Sequence, residues 1–415
     1  MSESSYSSSD SDSSSVCSSN GTSVTSDGTG KDSLSHFMDL NYKVIGNYHL
    51  IKMLGEGAYA QVWLAYNHIK NDFFALKIQH PDDFDSAREE LKILRRIHKL
   101  PYKINVVENF AFFLSGKKDK KEKYYVIVFP VYGSSVEELS MMDIFDGGMN
   151  ESIVRKFTKQ TLENFAMLHD KYHLIHCDVK PDNFLLSKPD FKIRKIMESY
   201  PSEKFLKVYE QVKIKKPTIV TDNKQDMETR EKLHKELLRD IDFEGISNME
   251  VSDEELLKQL NESDFLISDF GSFCDIEEKY NDDFGTRYYR APENILVSED
   301  LGYSTDIWSL GCTIYELLTN HVLFKPSTTS KFSTDHHHLS SIFQLGKFSN
   351  KEIKSCGRRK EFFSKSKELL KLPRTSSVID KINRVDSSFW KGLILSMLTV
   401  SYKQRPSAKK LLTNF

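Results

Sequence analysis

Asp178 and Asn183 stand five positions apart in the stretch LIHCDVKPDNFLL, with Lys180 between them. Each side chain has a separate use in moving a phosphoryl group to a hydroxyl. A carboxylate at Asp178 orients the acceptor hydroxyl or takes its proton, and the Lys180 ammonium neutralises charge on the transferred group. The amide oxygen of Asn183 ligates a metal. A second acid follows in LISDFGSF, where an apolar strand delivers Asp269 to a turn that Gly271 permits. A hard divalent cation such as Mg2+ takes oxygen ligands of this kind. Upstream, LGEGAYAQVW (Leu54 to Trp63) offers backbone amides in a tight glycine turn able to approach phosphates closely. Lys77 closes the strand FALKI, and Glu90 lies one residue before a helical apolar stripe, placed to pair with Lys77 and hold its ammonium on phosphates; Glu89 is the alternative partner. The order of these pieces along the chain, more than any one of them, points to phosphoryl transfer from a nucleotide.

The elements around them can be read from periodicity. From Tyr48, the runs YHLIKML, AQVWLAY and FFALKI are separated by Gly or Asn-Asp turn chemistry and predict an antiparallel meander. DSAREELKILRRIHKL follows, with Leu91, Leu94 and Ile97 on one helical stripe. NVVENFAFFL and YYVIVFPV read as two more strands, and the lysine-rich SGKKDKKEK between them as an exposed hairpin loop in preference to a nuclear address. Beyond Gly133 the pattern turns helical: Val154, Phe157, Thr161, Phe165 and Leu168 mark one core helix, and Ile307, Leu310, Ile314 and Leu317 another. Residues 188–263 interrupt this order. Rich in lysine and glutamate, with amphipathic stretches such as METREKLHKELLRDI, they are expected to be a charged spacer insert with transient or partner-dependent helices. Residues 1–40 are serine and aspartate rich and read as a disordered tail, its serines either phosphorylation sites or merely solvated.

Composition sets the outer limits. A chain of 415 residues accommodates about two packed units, and a formal charge of −2 asks for neither nucleic acid nor an anionic membrane as partner. The five cysteines, at 17, 177, 274, 312 and 356, are scattered without a CxxC pair, which fits a reducing compartment better than a disulfide framework or zinc knuckle. No apolar run is long enough to span a bilayer, and the amino terminus lacks the basic start and apolar stretch of a signal peptide, so a soluble, unexported protein is expected.

Two further stretches decide the class. GTRYYRAPENIL (Gly285 to Leu296) resembles the end of a protein-kinase activation segment, with Glu293 as the anchor that pairs a distant arginine, here Arg405 in KQRPS. STDIWSLGC (Ser304 to Cys312) resembles the buried helix that braces the catalytic loop through Asp306. With the glycine loop, in which Gly55, Gly57 and Val62 match GxGxxGxV and Ala60 takes the third glycine position, residues 48–415 without the spacer resemble a eukaryotic protein kinase along their whole length. Four features resemble the SR-protein kinase group of the CMGC kinases. These are the neutral Cys177 inside HxD, the long spacer before DFG, Arg290 in TRYYRAPE, and the run LFKPSTTSKFSTDHHHLSSIFQLGKF followed by GRRKEFFSKSKELLKL.

The resemblance implies an α+β, bilobal protein-kinase fold. A small β-rich N-lobe with one regulatory helix spans residues 41–131, and a larger, mainly helical C-lobe spans 132–187 and 264–415 around the insert. It implies ATP and Mg2+ as cofactors and a serine/threonine kinase acting on protein substrates, namely serines in Arg-Ser repeats of splicing-related proteins. It further implies a monomer, cytoplasmic and also nuclear, with no direct nucleic-acid or membrane partner. The implied catalytic residues are Lys77, Glu90, Asp178, Lys180 and Thr286; the nucleotide-binding ones are Leu54, Gly55, Glu56, Gly57, Ala58, Val62, Ala75, Lys77, Pro130 and Tyr132; the metal ligands are Asn183 and Asp269. Phe129 takes the gatekeeper position, and Pro130 keeps the carbonyl that its hinge position contributes while Tyr132 supplies the amide.

The chain also departs from that group. Where its members carry acids that dock arginine-rich peptides, this sequence reads DHHH and ends on the amide Gln344, so Asp335 alone clearly remains, with Glu277, Glu278, Asp282 and Asp283 as other candidate attractors. Successive residues of a helix point about 100° apart, so the three histidines do not converge on one metal ion. Cys177 cannot hold a phosphorylated loop as an arginine would, so the activation segment from Asp269 to Glu293 is expected to fold without phosphate and leave the enzyme constitutively active; a redox role for Cys177 is secondary. The rival readings are a Clk-like or dual-specificity CMGC kinase and, from another class, a pseudokinase scaffold.

Overall fold

The computed structural model describes residues 40–57, 60–79, 83–99, 104–105, 111–115, 124–211, 224–277 and 284–415. The tail to residue 39, Ala58, the lysine cluster from Lys117 to Lys123, and Glu278, Asp282 and Asp283 lie outside the described residues.

The predicted meander is a six-stranded sheet. Its strands β1 (Val44–Ile45), β2 (Tyr48–Glu56), β3 (Ala60–Asn67), β4 (Asp72–Gln79), β5 (Ala111–Ser115) and β6 (Tyr124–Phe129) run in the order β1-β2-β3-β4-β6-β5, every neighbouring pair antiparallel. Helix α1 (Phe84–Lys99) buries Leu91, Leu94 and Ile97, as its stripe predicts.

The larger lobe is built on α2 (Val136–Ser140) and α3 (Glu151–Met167), then two short strands, β7 (Leu174–Ile175) and β8 (Phe184–Leu186). Helices α4 (Phe191–Ser199), α5 (Ser202–Gln211), α6 (Lys224–Leu238), α7 (Phe243–Asn248) and α8 (Asp253–Glu262) follow. After them come β9 (Phe265–Ile267), β10 (Cys274–Asp275), α9 (Pro292–Ile295), α10 (Ser304–Thr319) and α11 (Thr334–Ile342). The stripes read on α3 and α10 are buried, and one continuous core runs from Ala75, Leu91 and Phe129 in the sheet lobe through both helices. Two small antiparallel ladders, β8 with β9 and β7 with β10, hold the loops between their strands at the junction of the lobes.

The insert differs from the expected spacer. Its described part is helical and packed, not transient: Ile196, Tyr200, Phe205, Leu237, Leu238, Ile241 and Ile246 form one buried cluster with Ile51, Leu64 and Tyr66 of the sheet and Val131 of the hinge. His234 of α6 lies 2.6 Å from the Leu50 carbonyl, and Glu231 pairs with Lys43 at 3.0 Å. The base of the insert is tied to the large lobe, where Asp190 accepts from Ser134 and Gln259, and Lys156 donates to the carbonyls of Leu260, Asn261 and Ser263 at the end of α8. The physical reason is coverage. Nearly every residue of β3 is buried, so the sheet needs a layer on both faces, and the insert's sparse apolar positions supply the second while its charges stay in water.

Candidate active site

Register fixes the upper wall of the cleft. Gly57 N donates to Ala60 O at 2.9 Å, closing the glycine turn between β2 and β3, and Glu56 pairs with Gln61 across the ladder. Val62 lies opposite Lys77, and Ala75 opposite Phe129. Leu54, Val62 and Tyr132 are partly buried and pack on the same core as Ala75, which brings these expected nucleotide-cleft residues together, with Gly55, Glu56 and Pro130 on the same strands and edge.

Lys77 is clamped. Its Nζ lies 3.0 and 2.9 Å from the two carboxylate oxygens of Glu90, with Asp269 at 3.8 Å on the cleft side. Glu90 is only 3% exposed and also accepts from Gln79 Nε2, so its position is set twice, whereas Glu89 pairs with Lys92 at the surface and is not the partner. Burial alone lowers the Lys77 pKa, but the carboxylates of Glu90 and Asp269 outweigh it and hold the ammonium above its usual range.

The two ladders place the His176–Asn183 loop and Asp269 side by side. β7 leads directly into His176–Asp178, β8 leaves from Asn183, and β9 delivers Asp269. Ser268 N donates to Asn183 O at 3.0 Å, so the two candidate metal ligands flank one hydrogen-bonded rung. Asn183 commits its amide nitrogen to Asp178, at 2.7 Å from the carbonyl and 3.2 Å from Oδ2, which leaves the amide oxygen as its ligating atom. Asp269 takes a left-handed φ of 56° and is 43% exposed toward the cleft. Asp269 opens on the cleft and Asn183 is buried beside it; an amide oxygen and a carboxylate on neighbouring turns are the hard donors that Mg2+ accepts.

Asp178 lies 3.5 Å from Lys180 Nζ and accepts from Thr286 N at 2.6 Å through Oδ1. Burial pushes its pKa up, but Lys180 and the hydrogen bonds of Thr286 overcome this and hold it below the ordinary carboxylate value. The close approach of Thr286 depends on Gly285, whose φ is +74° and where a Cβ would collide with the Cys177 carbonyl oxygen. Cys177 itself has φ 71°, and the strained loop is held by Asp306, which accepts from the amides of His176 and Cys177 at 2.9 and 3.0 Å and meets His169 at 2.9 Å. Burial drives the Cys177 thiol well above its usual pKa, which removes thiolate character. Glu293 and Arg405 form the expected pair, bidentate at 2.5 and 3.0 Å.

Residues 48–198 and 196–414 match the protein kinase domain. The chain belongs to the protein kinase family. A protein of Acanthamoeba polyphaga mimivirus named as a serine/threonine-protein kinase is 26% identical over 420 residues, covering 78% of this chain and 76% of the relative. Serine/threonine-protein kinase SRPK of Physarum polycephalum is 28% identical over 330 residues, covering 78% and 72%. Dual specificity tyrosine-phosphorylation-regulated kinase 3 of Homo sapiens is 27% identical over 286 residues, covering 67% and 34%. The chain is thus an ATP-dependent serine/threonine protein kinase of the CMGC group, similar to SR-protein kinases, with the bilobal fold. Among its described residues no helix is long and apolar enough to cross a membrane.

Two features of this kinase were not visible in the sequence. Asp335, the one acid expected to remain for docking arginine-rich peptides, is occupied from within: Arg287 and Arg358 both pair with it, the latter at 2.7 Å. Conversely, Glu137 of α2, Asp182 of the catalytic loop and Glu316 of α10 converge beside Lys180. The hydrogen bond between Glu137 and Asp182, with burial and the charges of Asp182 and Glu316, raises the Glu137 pKa to about 7. Glu316 also accepts from the Tyr289 hydroxyl at 2.6 Å. The only sequence signal was the acid at the x position of KPxN, which the phosphoryl-transfer reading leaves without a role.

Proposed function

We propose that the kinase phosphorylates serines in arginine-containing, Arg-Ser-rich substrates of the splicing-related class, acting as a monomer in the cytoplasm and nucleus, with Mg2+ held by Asn183 and Asp269. The observation that carries the catalytic part is the cleft constellation: Lys77 clamped by Glu90 and facing Asp269, with Asp178, Lys180 and Asn183 linked to one another below. ATP supplies the phosphoryl group, and Mg2+ neutralises charge on the phosphates when both are bound. Lys77 holds the α and β phosphates under the turn of Gly55 and Gly57. A carboxylate with a lowered pKa is a weak base, so Asp178 serves first to orient the acceptor hydroxyl and accepts its proton late, as the phosphoryl group departs. Lys180 balances charge on that group, and Thr286 fixes the Asp178 rotamer.

For the substrate, support comes from Glu137, Asp182 and Glu316. Three acids gathered beside Lys180, with the Glu137 carboxyl raised to about 7, are a ready site for a guanidinium, whose charge favours the ionised form of Glu137 and which forms charge-assisted hydrogen bonds. A different CMGC specificity is favoured by one observation, the sequestration of Asp335 by Arg287 and Arg358. Initial rates on an Arg-Ser repeat peptide, a proline-directed peptide and an acidic peptide separate the two. The proposal expects the first to be preferred, and equal or absent transfer to it rejects this substrate class.

A further inference from the structure

Arg96 sits in the last turn of α1, six residues or about 1.7 turns beyond Glu90. Its guanidinium spans two loops at once. Nη1 meets Asp275 Oδ2 at 2.5 Å, and Nη2 donates to the Tyr172 carbonyl at 2.6 Å. Asp275 is the outer end of the β7–β10 ladder, in which it pairs with Leu174 and Cys274 with Ile175, and Tyr172 lies two residues before β7. The inner ends of the same ladder are the functional loops: β7 runs into His176, Cys177 and Asp178, and β10 follows Asp269, Phe270 and Gly271. Ser272 Oγ closes the gap between them by donating to His176 O at 3.1 Å.

From this geometry we infer that Arg96 and Asp275 are positioning residues for phosphoryl transfer, a permanent, phosphate-independent tie that fixes the helix carrying Glu90 to both loops carrying Asp178 and Asp269. The inference rests on the proposed roles of those three acids. A covalent carboxylate at Asp275, supplied by the activation segment itself, gives Arg96 the anionic partner that a phosphate would otherwise have to provide. That is the physical content of a segment that needs no modification although Cys177 cannot hold one. The carboxyl of Asp275 is raised by burial but held below its ordinary value by Arg96, the Glu277 amide and His173, so the tie is charged throughout the neutral range. Tyr303 and Asp170 also face this pair, and Tyr303 carries no charge there because burial and the two carboxylates raise its pKa. The effect of the pair on the cleft passes through the ladder and α1.

The test is a double-mutant cycle on the full chain, treated with phosphatase and assayed with ATP, Mg2+ and the preferred peptide. Arg96→Met and Asp275→Asn should each lower kcat/KM for ATP by about tenfold, the scale on which residues linking two elements modulate coupling. The double variant should be no worse than either single one, Arg96→Lys should recover most of the loss, and melting temperatures should stay within a few degrees of the parent. Additive losses in the cycle, no loss in either single variant, or phosphatase treatment abolishing wild-type activity would each overturn the inference. Asp178→Asn assayed alongside keeps the two questions apart: its retained activity would sink the catalytic reading, whereas a dead Asp178→Asn with unaffected Arg96 and Asp275 variants would sink the tie alone.

Discussion

Two cation–glutamate pairs in this kinase use the same chemistry for opposite ends. Arg405 and Glu293 meet with both side chains 0% exposed, and the guanidinium also donates to the carbonyls of Ser304 and Thr399. Lys77 and Glu90 meet at 2.9 Å with the lysine 21% exposed and a third charge, Asp269, on its open side. In the rear pair every donor is spent on the protein, so it can only brace α9 against the end of the chain. In the front pair the glutamate is fixed and buried while the ammonium keeps a face toward the cleft, so it is positioned but not saturated. Burial decides which pair is scaffold and which is machinery, since a sealed charge has no proton or orbital left for a ligand.

Breaking each pair should therefore give a different phenotype. Arg405→Ala leaves the Glu293 carboxylate buried and alone, and is expected to cost about 3–5 kcal/mol of stability by chemical or thermal unfolding. The insert supplies a tie of a third, apolar kind: Leu237→Ala, at a position 2% exposed against the sheet, should cost about 3 kcal/mol and raise hydrogen exchange in α6 and β2 together. A solvated spacer would show neither effect. At the front, Lys77→Arg keeps the charge and should leave the melting temperature unchanged, yet reduce kcat/KM for ATP by about 10²-fold, because a displaced cation misplaces the phosphates. The smallest expected effect is in pH. Since the Glu137 carboxyl is raised to about 7, it is neutral below that pH and gains its charge above it. KM for an Arg-Ser peptide should fall several-fold from pH 6 to pH 8, and Glu137→Gln should flatten that slope.

What could be read from the residues alone divides along the same line. That Lys77, Glu90, Asp178, Asn183 and Asp269 fall at one cleft was legible because each sits in a short local pattern whose chemistry is distinctive, and the strands and helices around them because period and burial agree, as for Val154 to Phe165 on α3. Pairings between remote segments were legible only where the family resemblance carried them, as for Glu293 and Arg405. Arg358 reaches Asp335 across 23 residues and Arg96 reaches Asp275 across 179, and nothing local to either acid announces a partner. The insert was misjudged for a related reason. Its buried positions, from Ile196 to Ile246, are spread over four helices with charges between them, so its amphipathic stretches read as transient helices and none of them announces the surface it covers. The missed signal lay in the sheet, where AQVWLAY is apolar on both faces and therefore needs two covering layers.

The most direct test of the catalytic assignment compares ATP affinity and phosphoryl transfer on the same preparations of the parent and Asp178→Asn. The substitution preserves an oxygen able to accept from Thr286 N and so should leave the fold and nucleotide affinity close to the parent's. Transfer to peptide is predicted to fall by roughly 10²–10⁴-fold. A folded Asp178→Asn enzyme that transfers phosphate at the parental rate would contradict the account.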